Sequence, residues 1–282
     1  MTGIAIVTDS TANLPQTTVD YYNITVVPVQ VIVSGRGFDE GVSISAQQVA
    51  DEMRSAVPVT TSRPAPARFL EVYQSLAERG FTEIVSVHLS AELSGTYDAA
   101  VIAAEQSPIG VTVLDSRTIS MGLGYAVIAG ARSARRGRTV QEVAAEVKST
   151  ATRTRVLFYV DSLEYLRRGG RIGSAERIIG QALAVKPILH VAKGRVQPLE
   201  KVRTMSKALG RLEDLTVETA GSTPANIAVM HLDARKRAED LAERVRRRLP
   251  DADILIGEVG AVIGSHVGPG MVASVISPVP PP

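Results

Sequence analysis

The chain has 282 residues, no cysteine, four histidines and a formal net charge of +2, a length that fits roughly two domains, each able to bury its own core. Without thiols there is no disulfide, no thiolate nucleophile and no Cys-type zinc site, while near-neutral charge and only 4% aromatic residues give nucleic acid neither a basic footprint nor stacking rings. No charged-then-apolar leader pattern opens the chain, and its longest uncharged stretch, residues 259–282, is broken by glycines and prolines that an unsupported bilayer helix does not tolerate, so a soluble, cytoplasmic protein is expected.

Residues 4–8 read as a buried strand, followed by the polar turn Asp9-Ser-Thr-Ala-Asn13 and a short helix near Pro15, where proline is tolerated. Residues 24–33 form a second strand run. Ser45 with Gln48 makes a capping box for a helix to about residue 56. The segment Thr60-Thr-Ser-Arg-Pro-Ala-Pro66 then leads into a helix whose apolar face is Phe69, Leu70, Tyr73 and Leu76. Strands at 84–88 and 111–114, a helix from Met121 toward Arg136, and a helix capped by Thr139 and Glu142 complete the first half. This alternation predicts an α/β fold with a mostly parallel sheet flanked by helices over residues 1–150.

The second half, residues 151–282, is predicted as an α+β layer with a mixed or antiparallel sheet. Its elements are a strand at 156–160, a short helix at 163–168 stopped by Gly169-Gly170, a helix at 177–185, and a hairpin of 187–192 with 195–202 turning on Lys193-Gly194. Strands at 227–231 and 254–259 alternate with helices at 206–217 and 234–249. Residues 278–282 are a proline-rich tail, expected to be disordered.

Three constellations carry chemistry. Thr60-Thr61-Ser62, and Ser90 with Ser94-Gly95-Thr96, each precede an expected helix, which in a doubly wound sheet is the ligand-binding edge at the carboxyl ends of strands. There, free N–H groups and the helix dipole favour an anion; on the plainer reading Ser62 and Ser94 are N-caps, each contributing about 1 kcal/mol. Leu166-Arg-Arg-Gly-Gly-Arg-Ile-Gly173 sets three arginines around a diglycine. Arg167 and Arg168 fit a helix C-terminus with Gly169 as the left-handed residue that ends it, whereas Arg171 lies beyond the helix and suits carboxylate or phosphate. Gly264-Ser-His-Val-Gly-Pro-Gly270 reads as an irregular loop able to aim His266. His88 and His231 lack metal-ligand spacing, no metal site is expected, and no phosphate-binding loop or dinucleotide fingerprint occurs.

The segments Thr8-Asp-Ser-Thr-Ala-Asn-Leu-Pro15, Thr61-Ser-Arg-Pro64, Leu93-Ser-Gly-Thr-Tyr97, Leu163-Glu-Tyr-Leu-Arg-Arg-Gly-Gly-Arg-Ile-Gly173, Lys186-Pro-Ile-Leu189 and His266-Val-Gly-Pro-Gly270 occur in order along the whole chain. Together they resemble the DegV family, fatty-acid-binding proteins that serve as the lipid-carrying subunit of bacterial fatty acid kinase. The resemblance implies two domains with a long-chain fatty acid buried between and within them, its carboxylate held by the hydroxyls of Thr61 and Ser94. Ser62, Gly95 and Thr96 fall in the same head-group segments, with His266 in the same hydrogen-bond network. Arg171 and Arg203 would support phosphotransfer and docking of the kinase. It further implies a chain that is no enzyme on its own and binds no cofactor. ATP and magnesium belong to a separate kinase subunit that forms the acyl phosphate, and transient contact with a membrane surface fits lipid traffic. Arg63 stands where glutamine is common in the family, and Asn13 where aspartate is common. Two other functions fit the same residues: a stand-alone enzyme acting on a small anionic metabolite, and a plain lipid carrier or regulator without a kinase.

Overall fold

The structure, a computed structural model, describes residues 3–175 and 186–279. The first half runs β1 (Ile4–Asp9), α1 (Gln16–Tyr22), β2 (Thr25–Val27), β3 (Gln30–Val33), β4 (Arg36–Asp39), α2 (Ala46–Arg54), β5 (Val59–Ser62), α3 (Pro66–Glu78), β6 (Glu83–His88), α4 (Thr96–Ala104), β7 (Gly110–Asp115), α5 (Met121–Arg135) and α6 (Val140–Arg153). The second half continues with β8 (Arg155–Tyr159), α7 (Glu164–Arg168), β9 (Lys186–Ala192), β10 (Arg195–Val202), α8 (Met205–Ala220), β11 (Ala225–His231), α9 (Arg235–Arg248), β12 (Asp253–Glu258), α10 (Ala261–Val267) and β13 (Val272–Pro278).

An all-parallel sheet in the order β2-β1-β6-β7 forms the first layer. Alternation along its central strands sends Ile6, Val85 and Val87 to one face, against Leu123, Val127, Val143 and Val147 of α5 and α6. Ala5, Val7 and Ile84 go to the other, against Phe69, Tyr73 and Leu76 of α3 and the alanines of α4. Both faces are therefore covered, as a parallel sheet requires. The α2 and α6 helices start with complete capping boxes, Ser45 with Gln48 and Thr139 with Glu142. Residue 150 falls inside α6.

The second sheet, ordered β10-β9-β8-β13-β11-β12, is antiparallel except for the β11/β12 pair. One face packs Leu157, Tyr159, Ile227 and Val229 against α8 and α9. The other turns Val156, Phe158, Met230 and Ala273 toward Met121 of α5 and residues of α7 and α10. Lys193 and Gly194, at φ 52° and 81°, make the turn of the expected β9–β10 hairpin.

Several expectations change. Residues 24–33 are two strands in two sheets, because Pro28 removes a ladder donor between them: β2 joins the parallel sheet, and β3 joins a small antiparallel sheet, β4-β3-β5. Thr60, Thr61 and Ser62 consequently lie within β5, an edge strand of that small sheet, rather than at the carboxyl end of a parallel strand. Ser62 and Ser94 are not helix N-caps, since Ala65 and Gly95 hold those positions without side-chain bonds. At the end of α7 it is Gly170, at φ 68°, that takes the left-handed conformation, while Gly169 stays right-handed. The expected loop at 264–270 is mostly helix: α10 extends through Val267, and His266 occupies its last turn. Pro278 closes β13, and the Val279 N–H donates to the Pro224 carbonyl at 2.8 Å. The helix expected at 177–185 and the tail residues 280–282 lie outside the described residues. Among those described, no helix is long and apolar enough to cross a membrane.

Candidate functional site

A cavity of about 440 Å³ opens where the three sheets meet. The loops after β6 and β7 contribute Leu89, Leu93, Ser94 and Ile119, so this edge of the parallel sheet is its carboxyl side, where open α/β sheets bind ligands. Val156, Phe158 and Ala273 form a wall from the second sheet, and Val262, Ile263 and Val267 form another from α10. Most of the lining is aliphatic. Its polar groups are few: Thr61 and Ser62 on β5, Arg63, Ser94 and Gly95 before α4, Ser120, Arg171 and His266. A concave apolar volume of this size with a few convergent polar groups is the usual form of a small-molecule site.

The polar end is built from distant parts of the chain. The Thr61 Oγ1 lies 2.9 Å from the His266 Nε2, across 205 residues of sequence. Arg171 donates through Nε to the Leu93 carbonyl at 2.9 Å and through Nη1 to the Gly169 carbonyl at 2.7 Å, which fixes its guanidinium plane beside the β6–α4 loop. The Ser94 Oγ bonds the Thr96 Oγ1 at 2.9 Å and accepts from the Thr96 N–H at 3.3 Å. Thr96 itself is fully buried and outside the cavity lining.

Burial, with a further contribution from the Arg171 charge, pushes the His266 imidazole down to about 4, so the ring is neutral at pH 7. Among the described residues its Nδ1 is buried without a hydrogen-bond partner, and Gly169 packs directly on it; a methyl group at Gly169 would fall on Nδ1. Gly169→Ala is therefore expected to push the ring off Thr61 and destabilise the fold by about 1–3 kcal/mol, as overpacking does. Chemical denaturation together with the His266 ring signal in NMR measures both effects, and an unmoved ring with unchanged stability would refute the packing argument.

Of the residues singled out in the sequence, Thr61, Ser62, Ser94, Gly95, Arg171 and His266 meet at this cavity. Arg203 does not. It is exposed in the bend between β10 and α8. Arg63 lines the cavity with its side chain lying over Gly95. A second hollow of about 390 Å³, bordered by Val59, Tyr165 and Arg168, shares Thr61, Arg171 and His266 with the first. The same three side chains thus form a partition between an apolar cavity and a more polar one.

Two buried groups beside the site went unmarked in the sequence. His88, expected to be bland, is fully buried and donates through Nδ1 to the Asp9 carboxylate at 3.0 Å, while Nε2 lies 2.8 Å from the Ser86 Oγ, itself the acceptor of the Tyr73 hydroxyl at 2.9 Å. Glu40, 6% exposed, accepts the Val262 N–H of α10 at 2.7 Å through Oε1 and, among the described residues, leaves Oε2 buried without a partner. Their only sequence signal is polarity beside apolar runs, which surface loops share. Among the described residues no group of His, Asp and Glu is placed to hold a metal ion.

The chain matches, over residues 3–279, a family model described as an uncharacterised protein of the DegV family. It is 51% identical over 275 residues to a DegV domain-containing protein of Streptomyces coelicolor, an alignment covering 97% of this chain and 98% of that one. The structure of a DegV family protein from Thermus thermophilus, described as fatty acid binding, superposes with a TM-score of 0.93 at 31% identity, covering 98% of this chain and 100% of the other. That of DegV, a fatty acid binding protein from Bacillus subtilis, superposes with a TM-score of 0.92 at 30% identity, covering 99% and 100%.

Proposed function

This chain belongs to the DegV family, and we propose that it binds one long-chain fatty acid and presents the carboxylate to a separate ATP-dependent kinase that forms the acyl phosphate. The observation that carries the reading is the aliphatic cavity of about 440 Å³ whose polar groups include Thr61, Ser94, Arg171 and His266. Fatty acid binding by the similar Thermus and Bacillus proteins points the same way. Burying an acyl chain of about sixteen carbons contributes about 11 kcal/mol, at about 0.8 kcal/mol per methylene, before the costs of association. A small anionic metabolite would leave that apolar wall unused, which favours the lipid over a stand-alone metabolite enzyme.

A buried carboxylate without donors takes up a proton or is expelled, so hydroxyls and a guanidinium are what keep it anionic. Neutral His266 supports this through Thr61. With the proton on Nε2, the ring donates to the Thr61 Oγ1 and frees the Thr61 hydroxyl hydrogen for the carboxylate; the buried Nδ1 is then an unpaired acceptor, cheaper than an unpaired N–H. The partition shared by the two hollows gives a partner access to the carboxylate from the more polar side. In the transfer, a carboxylate oxygen bonds the γ-phosphorus of ATP as the bond to ADP breaks, and cations spread the developing charge. We assign Arg171 to that charge and the exposed Arg203 to docking the kinase.

Mass spectrometry of an organic extract from protein purified without added lipid is expected to release a stoichiometric fatty acid. Absence of lipid, together with no uptake of supplied fatty acids, would overturn the reading. The double variant Thr61→Val, Ser94→Ala removes two donors to a charged acceptor and is expected to weaken fatty acid binding by about 10–100-fold, with unchanged affinity counting against the carboxylate assignment. Arg203→Ala and His266→Ala are each expected to lower kinase-coupled turnover while lipid is retained; full turnover in both refutes their roles.

A further inference from the structure

Away from the lipid cavity, a depression of about 640 Å³ lies between the β7–α5 connection, α6, the start of β8 and the β9–β10 turn. Among the described residues it shares only Val191 with the lining of the lipid cavity. Four cations border it, Arg117, Lys148, Arg155 and Lys193, and among the described residues none of them is ion-paired with a carboxylate. Elsewhere many arginines are so paired, as Arg168 is with Glu164, Arg211 with Glu200, and Arg248 with Glu213. Among the described residues the one carboxylate in the lining is Asp115, which spends Oδ1 on the backbone N–H groups of Ala91 and Arg117.

Two of the cations are held in place. Arg117 Nη2 donates to the Lys193 carbonyl at 2.9 Å, and Arg155 Nη1 donates to the Thr152 and Thr154 carbonyls at 2.7 and 3.2 Å. Neutral carbonyls orient these guanidinium planes without cancelling their charge, which preorganises them for an anion. The turn that carries Lys193 is itself anchored, since the Ser90 hydroxyl donates to the Gly194 carbonyl at 2.7 Å. Arg117 and Lys193 both sit at positive φ, 54° and 52°, a conformation uncommon for residues other than glycine. His190 completes the lining, half-buried, its ring pushed down by burial and by the Arg155 charge.

We propose that this depression binds a small soluble phosphate-bearing anion with at least two negative charges, of the diphosphate or phosphate monoester class. Several cations without counter-charge suit a multiply charged ligand, and their arrangement around a hollow, rather than across a flat face, suits a compact one better than a bilayer. Bound phosphate would also give His190 an acceptor and favour its protonated form.

Inorganic pyrophosphate is the probe. At low ionic strength, calorimetry on the full chain is expected to show saturable binding that weakens steeply with added salt. Lys148→Ala and Arg155→Gln are each expected to weaken it by about tenfold, with fatty acid retention unchanged as the folding control; Lys148→Ala alone suffices, since among the described residues no hydrogen bond or ion pair of its side chain is lost. The His190 ring signal is expected to titrate at higher pH with pyrophosphate present. Absence of saturable binding, undiminished binding in both variants, or an unmoved His190 titration overturns the proposal. So does binding confined to anionic phospholipid vesicles, which would make the surface a membrane contact instead.

Discussion

Asp9→Ala is expected to cost about 3–5 kcal/mol of folding stability, the range found when one partner of a buried charged network is removed. The Asp9 carboxylate is completely buried at the end of β1 and accepts from the Thr11 N–H and hydroxyl, the His88 Nδ1 and the Leu89 N–H, at 2.5–3.1 Å. Alanine leaves all four donors without that acceptor where water does not reach, and each such loss costs about 1–3 kcal/mol. The consequence reaches the aliphatic cavity, because the Leu89 N–H and His88 orient the loop that continues to Leu93 and Ser94. Urea denaturation is the measurement. A loss below about 1 kcal/mol would mean that the network relaxes onto other acceptors.

Glu40→Gln is expected to change the pH dependence of stability. Burial pushes Glu40 up from 4.5 to about 7 against the smaller opposing effects of the Ser10 hydroxyl and the Val262 N–H; nearby Asp9 adds to the rise. The folded pKa lies above the unfolded one, so the folded state holds the proton more tightly. Its contribution is fully present below pH 4.5 and is lost as pH rises through about 7. The shift from 4.5 to about 7 corresponds to about 3 kcal/mol. Glutamine cannot ionise, so relative to the parent its stability should rise by about 2–3 kcal/mol between pH 4.5 and pH 8. His266 titrates in the opposite sense, its neutral form favouring the fold above pH 6.5 and losing that contribution as pH falls through about 4. Because both proteins contain His266, their difference isolates Glu40. A difference that stays constant between the two pH values would remove Glu40 as the titrating group. The result bears on function because the bond from Val262 to Glu40 ties α10, and with it His266, to the small antiparallel sheet.

The fold class was legible because its signals are short-range. Apolar runs at 4–8 and 84–88 become β1 and β6 nearly residue for residue, the capping boxes at Ser45 and Thr139 start α2 and α6, and Lys193-Gly194 turns the expected hairpin. The failures lie where one apolar run serves two sheets. Residues 24–33 look like a single strand until Pro28 and the pairing partners divide them, and β4, with glycine at its second position, offers almost no alternation. Helix α10 was hidden by its glycines at either end, and β13 by the absence of any polar alternation in a strand buried almost throughout.

Thr61, Ser94, Arg171 and His266 were singled out by residue type and by resemblance, without knowledge of what they touch. The 205 residues between Thr61 and His266, and the 222 between Glu40 and Val262, lie beyond any local pattern. By itself the sequence determined the elements with strong local signals, the capping boxes at Ser45 and Thr139, the Lys193-Gly194 turn, and the hydroxyl, arginine and histidine segments, because each depends on neighbours a few residues away. The tertiary structure alone decided that those segments converge on one aliphatic cavity, that His266 is neutral, and that Asp9 and Glu40 are buried. Burial and low dielectric arise only when distant segments pack together, and they, rather than residue type, set a side chain's charge state and hydrogen-bond partners.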